Sequence, residues 1–144
     1  MRYYFLSITI LLLSCSKSGV VRNPYLQDLE FSYPVNMNLP LYNNLKTPLN
    51  AVYINVPGVG NKGVYVINTG TNNYVAWDAA CPNHRASDCA AMSLSGGINV
   101  RCSCDDNLYS LVNGALISSE STERQYPLLN YRVSVSGNVL TVYN

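Results

Sequence analysis

Cys81, His84 and Cys89 in "WDAACPNHRASDC", and Cys102, Cys104, Asp105 and Asp106 in "NVRCSCDDNLYSLVNG", gather most of the reactive side chains of this 144-residue chain. His84 is its only histidine, and only Cys15 lies outside the two stretches among the cysteines. Clustered cysteines with a histidine have the spacing of metal ligands. The same cysteines in an oxidising compartment read first as disulfides. A cysteine beside a histidine can also act as a nucleophile with its base, which requires a thiol that stays reduced. The compartment bears directly on this choice.

The N-terminus points outside the cytoplasm. Arg2 precedes an apolar run from Phe5 to Leu13, too short for a membrane-spanning helix of about 20 residues. It has the form of a secretory signal, here residues 1–14. Leu12-Leu13-Ser14-Cys15 resembles the bacterial lipobox, which makes Cys15 a lipidation site and the expected location the bacterial cell envelope, lipid-anchored and extracytoplasmic. One of the nine basic residues, Arg2, leaves with the signal, so eight basic face eight acidic residues in the mature chain. A neutral domain with no basic patch argues against nucleic acid, whose binding depends on neutralising phosphates. The expected partners are the membrane, through the lipid, and an envelope protein that composition does not identify.

Residues 15–30 have Gly, Ser, Asn and Pro without an apolar period and read as a flexible lipid-anchored tether. Residues 31–144 form the expected domain, with a single core. Short runs of alternating apolar residues recur there between Gly and Asn turns. They predict strands over Val35–Tyr42, Asn50–Val56, Gly63–Asn68, Asn73–Ala79, Asn99–Cys102, Asn107–Val112, Tyr131–Ser136 and Val139–Tyr143. The class is all-β, a small antiparallel sandwich or barrel. The twelve tyrosines suit strands, where the ring packs and the hydroxyl reaches the rim.

From Gly63 to Tyr143 the chain resembles the Rieske domain. In that family a small antiparallel β fold holds a [2Fe-2S] cluster between two apposed loops, each giving one Cys and one His, as C-x-H and C-x-x-H. In high-potential members the second loop reads C-P-C-H-G-S-x-F, with a glycine about five residues later. "CSCDDNLYSLVNG" keeps that register: Cys102 stands at the ligand cysteine, Cys104 at the middle cysteine, Tyr109 at the aromatic and Gly114 at the turn glycine. The ligands depart from it. Asp105 stands at the second histidine and Asp106 at the following glycine, while Asn83 stands at the first histidine and His84 one residue later.

The resemblance thus implies a degenerate site, and three readings of its residues compete, of which the zinc one rests on ligand chemistry alone. A [2Fe-2S] cluster would take Cys81 and Cys102 on one iron and His84 and Asp105 on the other, giving an electron carrier. The same Cys81, His84, Cys102 and Asp105 also make a tetrahedral zinc set. In the third outcome no metal binds: Cys89 pairs with Cys104, matching the inter-loop disulfide of high-potential members, and Cys81 pairs with Cys102, whose loops the family fold sets side by side. The expectation is the third, a disulfide-braced module without catalytic activity. Glu120 and Glu123, in the polar stretch "SSESTERQ", read as a solvated face rather than an acid–base pair.

Overall fold

Ten strands make up the fold in the computed structural model, which describes residues 22–144: β1 Ser32–Asn36, β2 Ala51–Ile54, β3 Val64–Gly70, β4 Asn73–Asp78, β5 Ser93–Ser95, β6 Asn99–Arg101, β7 Leu108–Ser110, β8 Leu116–Ser118, β9 Asn130–Ser136 and β10 Val139–Tyr143. The segment assigned to the signal peptide and Cys15 lie outside the described residues. All strand pairings are antiparallel, in a six-stranded sheet of order β1-β10-β9-β4-β3-β2 and a four-stranded sheet of order β5-β6-β7-β8. The all-β antiparallel class expected from the turn spacing therefore holds. Among the described residues no helix is long and apolar enough to cross a membrane.

The expected single core divides into two clusters, and β3 explains why. Successive side chains of a strand point to opposite faces, and all of Val64–Asn68 are buried. Val64 and Val66 join Val52, Ile54, Tyr131 and Leu140 in one cluster. Tyr65 and Ile67 join Met92, Val100, Tyr109 and Leu111 in the other, which fills the space between β3, β4 and the small sheet. Cys81, Cys89 and Cys102 belong to this second cluster. Trp77 closes it, donating its indole N–H to the Leu111 carbonyl at 2.7 Å. Gly114 sits against that ring with φ +72°, where a Cβ would overlap the indole carbons. Both the backbone conformation and the space there require glycine.

Three local expectations change. The first strand is Ser32–Asn36, not Val35–Tyr42: Asn36 Oδ1 accepts the Asn38 N–H at 3.0 Å and turns the chain, and Asn43–Lys46 form a short 3-10 helix. Two strands, β5 and β8, lie where no alternation predicts them. The segment read as tether lies partly on the domain. Leu26 is buried, Asn23 Nδ2 donates to the Pro82 carbonyl at 2.8 Å, and Asn61 exchanges bonds with the Gln27 backbone at 3.0 Å in both directions. Asn23 Oδ1 accepts the N–H groups of Tyr25 and Leu26, an Asx turn that directs Leu26 inward.

Candidate functional site

Two loops and one extended segment build the site. The first loop leaves β4 at Asp78 and runs to β5. Its start is fixed because Asp78, with no exposed surface, accepts the Ala80 N–H at 2.7 Å through Oδ1. Asp78 Oδ2 accepts three more bonds, from the Asn61 N–H at 2.6 Å, Asn61 Nδ2 at 2.9 Å and the Tyr131 hydroxyl at 2.6 Å. The second loop, Cys102 to Asn107, closes the β6–β7 hairpin, and the Cys102 N–H reaches the Asn107 carbonyl at 3.0 Å. Asp106 takes the left-handed conformation there, φ 58°, where Asp is among the better-tolerated residues.

The loops meet through their cysteines. Cys81 and Cys102 have Cα atoms 5.5 Å apart and Sγ atoms 2.12 Å apart, and Cys89 and Cys104 have Cα atoms 6.0 Å apart and Sγ atoms 2.04 Å apart. Both pairs are disulfides. Cys81, Cys102 and Cys89 are 2%, 1% and 6% exposed, and Cys104 lies at the surface. The outer bridge rests close on the inner one, the Sγ atoms of Cys81, Cys89 and Cys102 all lying within 4.8 Å of one another.

Beside the inner bridge the remaining candidate ligands pair with each other. His84 Nε2 lies 3.0 Å from Asp105 Oδ2, both side chains partly exposed. Asp105 also accepts Asn107 Nδ2 at 2.7 Å and the Asn107 N–H at 3.1 Å. Asn107 is fully buried and donates as well to Gln125 Oε1 at 2.8 Å, tying in the Ser119–Pro127 segment. Asn83, at the first-histidine position of the resemblance, donates to the Tyr109 hydroxyl at 2.7 Å and accepts the Tyr126 N–H at 2.8 Å. These polar bonds tie the two loops and the Ser119–Pro127 segment together. Sequence reasoning did not find Asn107, Gln125 or Tyr126, because buried amides that knit loops have no fixed spacing.

The donor set does not fit a [2Fe-2S] cluster as arranged. Both cysteines that would meet one iron are spent in a bridge, one imidazole is present where the family uses two, and Asn83 is committed to Tyr109 and Tyr126. A zinc set fails for a related reason. A ring nitrogen of His84, a carboxylate oxygen of Asp105 and Cys102 Sγ lie within 4.8 Å of one another, but a bridged sulfur is not a thiolate ligand. Glu120 and Glu123 are exposed.

Burial also shapes the tyrosines around the site. Loss of solvent pushes the Tyr65 hydroxyl up to about 12, with the neighbouring Tyr53 adding to it. Tyr109 is likewise pushed up to about 12 by burial, and Tyr131 is raised further by burial and by Asp78 beside it. A folded-state pKa above the unfolded value of about 10 gives stability that is complete below pH 10 and is lost as pH rises through the folded value. Each two-unit shift is worth about 2–3 kcal/mol. The protein is therefore expected to unfold cooperatively between about pH 10 and 12. Tryptophan fluorescence and tyrosinate absorbance at 295 nm, read within minutes to spare the disulfides, should change together. Tyrosinate absorbance that completes near pH 10 with the fold intact would contradict the buried tyrosines.

No protein-family model matches the chain, and no curated protein matches it. Among solved structures it is similar to the ferredoxin of carbazole 1,9a-dioxygenase from Nocardioides aromaticivorans IC177, at 18% identity and TM-score 0.46, covering 76% of this chain and 96% of that one. It is similar to the Sphingomonas yanoikuyae B1 ferredoxin at 14% identity and TM-score 0.44, covering 68% and 88%. A structure described as a complex of reduced oxygenase and oxidized ferredoxin in carbazole 1,9a-dioxygenase matches at 15% identity and TM-score 0.47, covering 81% and 94%.

Proposed function

We propose that this chain is an exported lipoprotein of the bacterial cell envelope, anchored through Cys15, whose Rieske-like domain has exchanged its cluster for two disulfides and acts by binding an envelope partner rather than by catalysis. One observation carries the loss of the cluster: the four loop cysteines close two bridges between the loops, leaving no thiolate for iron. The polar bonds of Asn83 and Asp105 support it, since they occupy the side chains that stand at the two histidine positions of the resemblance. The anchor rests on the lipobox-like Leu12–Cys15 and on the apolar run before it.

The test is a thiol count on full-length protein extracted by detergent from membranes of a host with intact cluster assembly. The protein should pellet with membranes in high salt, be colourless and contain no iron. Denatured without reductant, it should expose no thiol, because Cys15 carries the lipid and the other four cysteines are paired. A brown protein that bleaches on reduction, and that exposes two thiols once iron is removed, would establish instead an electron carrier with a Cys81, His84, Cys102 and Asp105 ligand set.

A further inference from the structure

We propose that the two bridges form a thiol relay, in which a dithiol partner opens the outer bridge and the Cys89 thiolate so released takes Cys81 from Cys102. This rests on the reading above only in requiring both bridges closed. Three features of the site lead to it. Cys104 is exposed while its bonded partner Cys89 is buried, so an incoming thiolate meets the outer bridge at Cys104 and the electron pair is left on Cys89. Cys89 Sγ lies within 4.8 Å of both sulfurs of the inner bridge, so the next exchange needs a small side-chain rotation and no separation of the loops. A ring nitrogen of His84 lies within 4.8 Å of Cys102 Sγ, placing a hydrogen-bonding group beside the sulfur that departs.

The exchange balances. The partner's first thiolate forms a bond to Cys104 Sγ and breaks Cys89–Cys104. Cys89 then bonds Cys81 and breaks Cys81–Cys102, leaving the electron pair on Cys102. The partner's second thiolate attacks its own sulfur in the mixed disulfide and releases Cys104. The partner leaves as a disulfide, two electrons poorer, and its two protons end on Cys102 and Cys104. Cys81 and Cys89 belong to the first loop and Cys102 and Cys104 to the second. The product therefore holds one bridge within a loop, where the starting protein has two bridges between loops, and no covalent bond then ties the loops together.

Trypsin separates the states, because it cuts after Lys62, Arg85, Arg101 and Arg124. Gly63–Arg85 contains Cys81, Ala86–Arg101 contains Cys89, and Cys102–Arg124 contains both remaining cysteines. Full-length, detergent-extracted protein is treated with one equivalent of dithiothreitol, quenched in acid, alkylated with N-ethylmaleimide and mapped without reduction. The expected result is Gly63–Arg85 bridged to Ala86–Arg101, with free Cys102–Arg124 carrying two labels. Gly63–Arg85 still bridged to Cys102–Arg124, with Cys89 and Cys104 labelled, overturns the relay, as does label on Cys81. In the Cys89→Ser/Cys104→Ser variant the inner bridge should react with dithiothreitol at least tenfold more slowly than in the unaltered protein, and equal rates overturn the relay as well. Untreated protein mapped alongside separates the two readings. Iron and two free thiols there refute the cluster-free module, whereas two closed bridges that fail to exchange refute the relay alone.

Discussion

Asp78→Ala is expected to abolish stable folding, or nearly so. The carboxylate has no exposed surface and accepts four hydrogen bonds, from the Asn61 backbone, the Asn61 side chain, the Tyr131 hydroxyl and the Ala80 backbone. It thereby joins the turn before β3, the start of the first cysteine loop and β9. Each buried donor left without a partner costs about 1–3 kcal/mol, so the loss of several approaches the whole stability of a domain, about 5–15 kcal/mol. Tyr131→Phe removes one of the four bonds and leaves the carboxylate its other partners, so it should cost about 1–2 kcal/mol. Urea unfolding of both variants, with the unaltered protein, checks the ranking. An Asp78→Ala domain within about 1 kcal/mol of the parent would mean that the network is dispensable.

Complete reduction is expected to have the second largest effect. The bridges close loops with sequence separations of 21 and 15, and chain entropy assigns about 3 kcal/mol to each. They constrain the same pair of loops, so their joint contribution falls short of the sum. A loss of about 4–5 kcal/mol is expected when urea unfolding is followed with and without excess phosphine reductant. The two bridges should not be equivalent. Cys81→Ala/Cys102→Ala leaves a gap within the cluster of Val100, Tyr109 and Leu111, whereas Cys89→Ala/Cys104→Ala opens partly to solvent. The inner replacement should be the more damaging. Equal midpoints for reduced and oxidised protein would show that the polar bonds alone hold the loops.

The sequence makes the strands with clear alternation legible. "YRVSVS" places β-branched and aromatic residues at period two and "GVYVIN" is an unbroken β-branched and aromatic run, both between Gly and Asn turns, and β9 and β3 form there. β5 and β8 are three residues each and largely exposed, so no buried face imposes a pattern on them. "VNMNLPLY" keeps its alternation past the point where Asn36 turns the chain, which is why a strand expected to Tyr42 stops at Asn36. The reactive residues are legible by type, because few side chains can form bridges or bind metals. The groups that hold them are not. Asp78 finds Tyr131 at a separation of 53 residues, and Asn83 finds Tyr126 at 43, through contacts that only the folded chain creates. The docking of residues 22–29 depends on a single buried leucine and a few amides, too little to give a linker-like composition an apolar period.

β3 gives alternate side chains to both apolar clusters, so neither can melt while the other stays packed. Heat should then produce one calorimetric peak whose van't Hoff and calorimetric enthalpies agree. For an exported envelope protein, as proposed above, this has a practical meaning. A protease there cuts segments that open on their own, and a domain whose halves share a wall opens rarely, and only as a whole.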